Sequence, residues 1–195
     1  MNLKQTAKQL ANKYKENPKV EAILLTGSVA NGWEDEFSDI ELHIFWKTAP
    51  TDIDRHLPIQ SVNGTVLSFH PFEDDEWSES FITEGGIKLE ISNFLTITVE
   101  NIIDDVCHFF DTNYDKQCIL ASLHDGLPLY GNYKVEDLKR RILFYPEKLS
   151  QAMIKENLFL GNRWNNRRAL IKRQDDTWSQ TGSFDKTDGS SFWTK

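Results

Sequence analysis

The chain has 195 residues, 39% of them hydrophobic, and a formal net charge of −8. That length buries the core of one or two domains, the composition is that of a soluble globular protein, and the acid excess repels polyanions, which disfavours nucleic acid as a partner. No apolar segment long enough for a signal peptide or a membrane span follows the lysine-bearing N-terminus, so no membrane contact is expected and the cytoplasm is the expected address.

In residues 2–16, Leu3, Ala7, Leu10, Ala11 and Tyr14 recur at helical spacing and predict an amphipathic helix, ended by Asn17 and Pro18. The apolar run Val20 to Leu25, between Pro18 and Gly27, predicts a short buried strand. From Asp39 the pattern alternates. Ile40, Leu42 and Ile44 point one way and Asp39, Glu41 and His43 the other, which predicts a half-buried strand with an acidic exposed face. Residues 65–69 predict another strand, and Gly85-Gly86 introduces one at 87–91 that turns Lys88, Glu90 and Ser92 outward. The acidic segment 73–84, carrying Trp77 and Phe81, reads as a short helix or a loop.

After residue 96 the period becomes helical, with Val99, Ile102, Ile103, Val106, Phe109 and Phe110 on one face. Residues 123–131 read as a turn-rich connection, and 134–144 and 146–174 as two more helices, the second opening on Pro146. Strands thus fall in the first half and helices in the second, with a boundary near residue 97. Residues 175–195 have no period and read as an irregular tail pinned by Trp178, Phe184 and Trp193. Cys107 and Cys118 lack metal-ligand spacing and read as reduced, structural residues.

Asp39 and Glu41, two apart on one strand, lie about 7 Å apart at the backbone, and their side chains can converge. Like charges so placed repel unless a cation or solvent relieves them. Oxygen-only ligands suit magnesium, which keeps sites for water and substrate phosphate. The bland alternative is a solvated strand face. Upstream, Gly27 permits a tight turn at a strand end, and the amides and hydroxyl around Ser28 can donate to phosphate oxygens.

The stretch "LLTGSVANGWEDEFSDIELHIFW", residues 24–46, resembles the nucleotidyltransferase superfamily with the DNA-polymerase-β-like fold. The resemblance rests on an apolar strand, Gly27-Ser28, ten intervening residues and Asp39-Ile40-Glu41, worded like the small bacterial members related to aminoglycoside and lincosamide nucleotidyltransferases. It implies an α+β fold: an N-terminal nucleotidyltransferase domain, residues 1–97, with a mixed β-sheet flanked by helices, then a C-terminal helical domain, residues 98–174, ahead of the tail.

The resemblance also implies a third carboxylate on a later strand, for which Glu90 is the candidate; otherwise Glu90 is an exposed partner of Lys88. Asp39, Glu41 and Glu90 are then the catalytic and metal-holding residues, and Gly27 and Ser28 bind the nucleotide. The implied reaction uses two Mg2+ ions and a nucleoside triphosphate as donor. It moves a nucleoside monophosphate onto a hydroxyl of a small, antibiotic-like molecule and releases pyrophosphate. The alternatives are an enzyme that nucleotidylates a protein, and a non-catalytic nucleotide- or protein-binding descendant of the fold. His43 is either a substrate contact or a surface histidine. The basic group Arg163, Arg167, Arg168, Lys172 and Arg173 is either a triphosphate clamp or a solvated helix face. Members of this build carry a fuller helical half, so its early end here implies a homodimer or a shortened relative.

Overall fold

The computed structural model describes residues 3–142 and 145–157. Its elements are α1 (Leu3–Tyr14), β1 (Val20–Thr26), α2 (Gly27–Asn31), β2 (Ile40–Trp46), α3 (Asp52–Gln60), β3 (Thr65–Phe69), β4 (Trp77–Ile82), β5 (Lys88–Leu95), α4 (Thr96–Phe109), α5 (Tyr114–Asp125), β6 (Leu127–Tyr130), α6 (Asn132–Arg141) and α7 (Glu147–Asn157). The strands form one sheet in the order β3-β4-β5-β2-β1-β6. Strands β2 and β5 run parallel and every other neighbour is antiparallel, so the sheet is mixed and the fold is α+β.

Alternation along the strands decides the two layers. One face carries Ile23, Leu25, Ile40, Leu42, Ile44, Trp46, Leu89 and Ile91, which pack on Ala7, Leu10, Ala11 and Tyr14 of α1 and on Ile59 of α3. On the other face α5 and α6 lie against β1 and α4 lies against β5, over Leu24, Phe45 and Phe94. Strand β2 is therefore enclosed on both faces over its second half.

Within the first layer lies a polar network. Trp46 Nε1 donates to Asn93 Oδ1 at 2.9 Å, while Asn93 Nδ2 and the Tyr14 hydroxyl donate to Glu79 Oε1 at 2.9 and 3.3 Å. Arg55, fully buried, donates from Nη1 to Glu79 Oε2 at 2.9 Å and lies 3.8 Å over the Phe69 ring. The network ties α1 and α3 to β2, β4 and β5. A buried ion pair contributes little net stability when whole, but losing one partner leaves the other as an uncompensated buried charge.

Four segments differ from the sequence reading, one of them helix α5, most of which the reading leaves unassigned. Residues 77–82 form a strand, not a helix or loop, because Trp77, Glu79 and Phe81 alternate with Ser78, Ser80 and Ile82 and pair with β5. Residues 127–130, read as part of a connection, form β6 and pair with β1. Helix α3 has no counterpart in the reading; it starts at a capping box in which Thr51 Oγ1 accepts from Asp54 N at 3.2 Å and Asp54 Oδ2 accepts from Thr51 N at 2.8 Å.

The chain divides into two compact units, Met1–Ser150 and Gln151–Lys195, and residue 97 falls inside the first. Strand β6, from beyond that point, completes the sheet edge beside β1. The basic group at 163–173, the last part of the helix read at 146–174 and the tail at 175–195 lie outside the described residues. No helix among the described residues is long and apolar enough to cross a membrane.

Candidate active site

Three segments distant in sequence meet at one end of the sheet, where β1 finishes and β2 and β5 begin. In the parallel pairing of β2 and β5, Glu41 lies opposite Glu90, so both side chains project from the same face of neighbouring strands, about 4.8 Å apart. Asp39 stands two residues before Glu41 and so shares that face. Thr26, the last residue of β1, pairs with Glu41 from the other side. The structure thus brings Asp39, Glu41 and Glu90 together and sets the Gly27-Ser28 turn beside them.

Gly27 is held there by a steric condition as well as a conformational one. Its φ is +66°, and a Cβ placed on it would lie 2.5 Å from Glu41 Oε1 and 2.7 Å from Glu41 Cδ. Only glycine turns the chain here and leaves room for that carboxylate. Gly27 and Ser28 open the single-turn helix α2, which ends in Gly32 at φ +72°. The loop that follows is tied by Asp35, whose Oδ1 accepts from Ser38 Oγ at 2.9 Å and Phe37 N at 3.0 Å, and it delivers Asp39 to the start of β2.

The electrostatics are those of crowded anions. Partial burial, then the neighbouring charges of Asp39 and Glu90, push the Glu41 carboxyl above its ordinary value, with Lys88 opposing. Lys88 Nζ lies 3.4 Å from Asp39 Oδ2 and also donates to Glu90 Oε1. Hydrogen bonding to Glu90 first, and to Asp39 after it, raises the Lys88 ammonium's own value.

The donor set is all oxygen and its negative charge is only partly offset, which fits a hard divalent cation such as magnesium. Among the described residues no group of three or more His, Cys, Asp or Glu side chains closes on a point where a metal ion could sit. The Lys88 ammonium is seated between two of the three carboxylates instead. Sequence reasoning named Lys88 only as an ordinary partner for Glu90; its place on the outward face two residues before Glu90 was the signal.

An open cleft of about 1160 Å³ reaches Asp39 and Lys88, between the loop 34–39 and the turn 85–88, with Leu3 and Lys4 on its wall. That volume accommodates a nucleotide. His43, expected as a substrate contact or a surface residue, is half-buried. It lies one pleat further along the sheet face, its ring edge-on to Phe94 at a centroid distance of 5.3 Å. Its Nδ1 is enclosed without a hydrogen-bond partner, and burial brings its pKa down to about 4. The Phe94 ring of β5 packs on it, which an alternating strand pattern does not reveal.

No family model matches the chain, and no curated protein matches it. Among solved structures, the Cid1 poly(U) polymerase is similar at 13% identity and a TM-score of 0.38, over 62% of this chain and 39% of its own. A cytoplasmic RNA terminal U-transferase is similar at 14% identity and a TM-score of 0.39, over 62% of this chain and 37% of its own. Terminal uridylyl transferase 4 from Trypanosoma brucei, with bound dUTP, is similar at 11% identity and a TM-score of 0.35, over 78% of this chain and 65% of its own.

The chain spans less than half the length of the first two structures. These findings correct one expectation, that of a small-molecule acceptor with nucleic acid disfavoured. The similar structures are of RNA-extending proteins by name, Cid1 among them with its short product ApU, and the small-molecule acceptor is withdrawn. The acid excess describes the surface as a whole and leaves room for a local basic patch. Charges more than a Debye length of about 8 Å away are screened, so an acidic surface does not forbid a polyanion in one cleft.

Proposed function

We propose that this chain transfers a nucleoside monophosphate from a nucleoside triphosphate to an acceptor hydroxyl, at the site built by Asp39, Glu41, Glu90 and the Gly27-Ser28 turn. One observation carries the reading: Glu41 and Glu90 stand opposite one another in the parallel β2–β5 register, with Asp39 on the same face and the Gly27 turn packed on the Glu41 carboxylate. Such an arrangement concentrates negative charge at a cleft mouth, and that charge is useful only to a cation.

In this reading Asp39, Glu41 and Glu90 hold magnesium, which supplies positive charge to the triphosphate when bound. Gly27 and Ser28 hold phosphate oxygens. The acceptor oxygen bonds to the α-phosphorus as the bond to pyrophosphate breaks, and Glu90, the most exposed of the three carboxylates, takes the proton that the acceptor hydroxyl gives up. The names of the similar structures make an RNA 3′ hydroxyl the acceptor to assay first.

The test is label transfer from an α-labelled nucleoside triphosphate to a short RNA in the presence of magnesium, beside Asp39→Asn. Labelled product from the wild type, lost in the variant, supports the reading. Product that survives in Asp39→Asn sinks it. A second reading, a non-catalytic nucleotide binder, is favoured by the Lys88 ammonium seated among the carboxylates. Magnesium-dependent nucleotide binding without pyrophosphate release would select it.

A further inference from the structure

Lys88 opens β5 and projects on the same face as Glu90, two residues on. Its ammonium reaches both Asp39 and Glu90, which come from different strands, and so draws two sides of the site together. An ammonium and a divalent cation cannot both sit against the same carboxylate oxygens without strong mutual repulsion. A metal ion arriving alone must therefore expel Lys88 into solvent, and the affinity of the free metal is reduced by the ion pairs it breaks. The Lys88 side chain is 44% exposed, so solvent can receive the ammonium when it leaves the carboxylates. It also lines the cleft beside the site, together with Asp39.

We propose that Lys88 is the resident counter-cation of the carboxylate site: it holds the place of the metal until a nucleoside triphosphate arrives, then exchanges the carboxylates for phosphate oxygens. This rests on the nucleotidyltransferase reading given above. The exchange couples metal and nucleotide. The metal displaces an ammonium that the triphosphate re-pairs, so each ligand raises the affinity of the other by the same factor. Lys88 is a positioning residue that guards against metal loading without nucleotide, and no bond forms or breaks at it.

The test uses manganese as the probe, titrated into the full chain by calorimetry or spin resonance, with and without a non-hydrolysable nucleoside triphosphate. Wild type, Lys88→Met and Lys88→Arg are compared, and thermal melting checks that each is folded. Without nucleotide, Lys88→Met should bind manganese about five- to tenfold more tightly than the wild type, the gain expected from removing exposed ion pairs. Lys88→Arg, which keeps the charge, should bind as weakly as the wild type. The nucleotide should tighten manganese binding more in the wild type than in Lys88→Met. Equal manganese affinity in wild type and Lys88→Met overturns the inference and leaves the carboxylate site standing. Manganese that binds none of the proteins, with nucleotide or without, overturns the reading of the site and the inference with it. Lys88→Gln repeats the comparison if methionine lowers the melting temperature.

Discussion

Replacing Arg55 by methionine tests whether the buried network holds the first layer together. The substitution removes hydrogen bonds of 2.9 Å each to Glu79 Oε2 and the His70 carbonyl, and the stacking on Phe69. Charge-assisted hydrogen bonds and a desolvated cation–ring contact each contribute on the order of 1–2 kcal/mol, partly replaced by the methionine side chain, so a deficit of about 2 kcal/mol is expected at pH 6. The deficit should then grow with pH.

Burial raises the Glu79 carboxyl to about 7, against the pull of Asn93 and Arg55. A carboxyl whose folded pKa is raised contributes stability that is whole below its unfolded value and is lost as pH rises through the folded one. In the wild type that loss stops once Glu79 ionises near pH 7. Without Arg55 the pKa moves higher and the loss continues, at about 1.4 kcal/mol per pH unit. The deficit should therefore reach about 4 kcal/mol or more at pH 9, near the cost of breaking a buried pair. Urea unfolding at pH 6, 7.5 and 9, followed by tryptophan fluorescence, measures it, since Trp46 belongs to the network. Arg55→Met with Glu79→Gln, which cannot ionise, should show a deficit independent of pH. A deficit of Arg55→Met that is the same at pH 6 and pH 9 would show that Arg55 does not hold down the Glu79 carboxyl.

Further predictions concern the site and its floor. His43, lowered to about 4 by burial, contributes stability that is present above its ordinary value of 6.5 and is lost as pH falls through 4. Between pH 6.5 and 4.5 the wild type should therefore lose about 2–3 kcal/mol that His43→Leu does not, read from urea midpoints at the two pH values. Gly27→Ala should abolish magnesium-dependent nucleotide binding, because its methyl group would displace the Glu41 carboxylate. Gly32→Ala meets the same positive φ with nothing within 4 Å, and should cost only about 1 kcal/mol of stability with binding unchanged. Calorimetry and melting on the pair separate crowding from backbone strain, and equal binding by the two variants would contradict the packing described at Gly27.

What the sequence reveals here follows from which signals are local. The apolar run 20–25, the alternation through Asp39 and Glu41, and the glycine at the strand end are written in neighbouring residues, and the strands form where those patterns lie. The pairing of Glu90 with Glu41 is a matter of parallel register between strands almost fifty residues apart, so the outward face of Glu90 was legible in its own alternation, while its place beside Glu41 was implied only by the family resemblance. Strand β4 was obscured by its own chemistry. Glu79 is the buried member of an alternating strand, and a buried carboxylate reads in sequence as an exposed one until its arginine is found. That arginine lies on α3, a nine-residue helix interrupted by Pro58, where the propensity argument fails and the Thr51 capping box takes over. His43 shows the same limit, since Phe94, from a later strand, packs on its ring.

Three carboxylates act as one site, and Glu90 joins the other two through the register between distant strands. Calorimetric titration with a non-hydrolysable nucleoside triphosphate, with and without magnesium, should show magnesium-dependent binding by the wild type and its loss in Glu90→Gln as fully as in Glu41→Gln. Glu90→Gln that binds the magnesium–nucleotide complex as the wild type does would contradict the account.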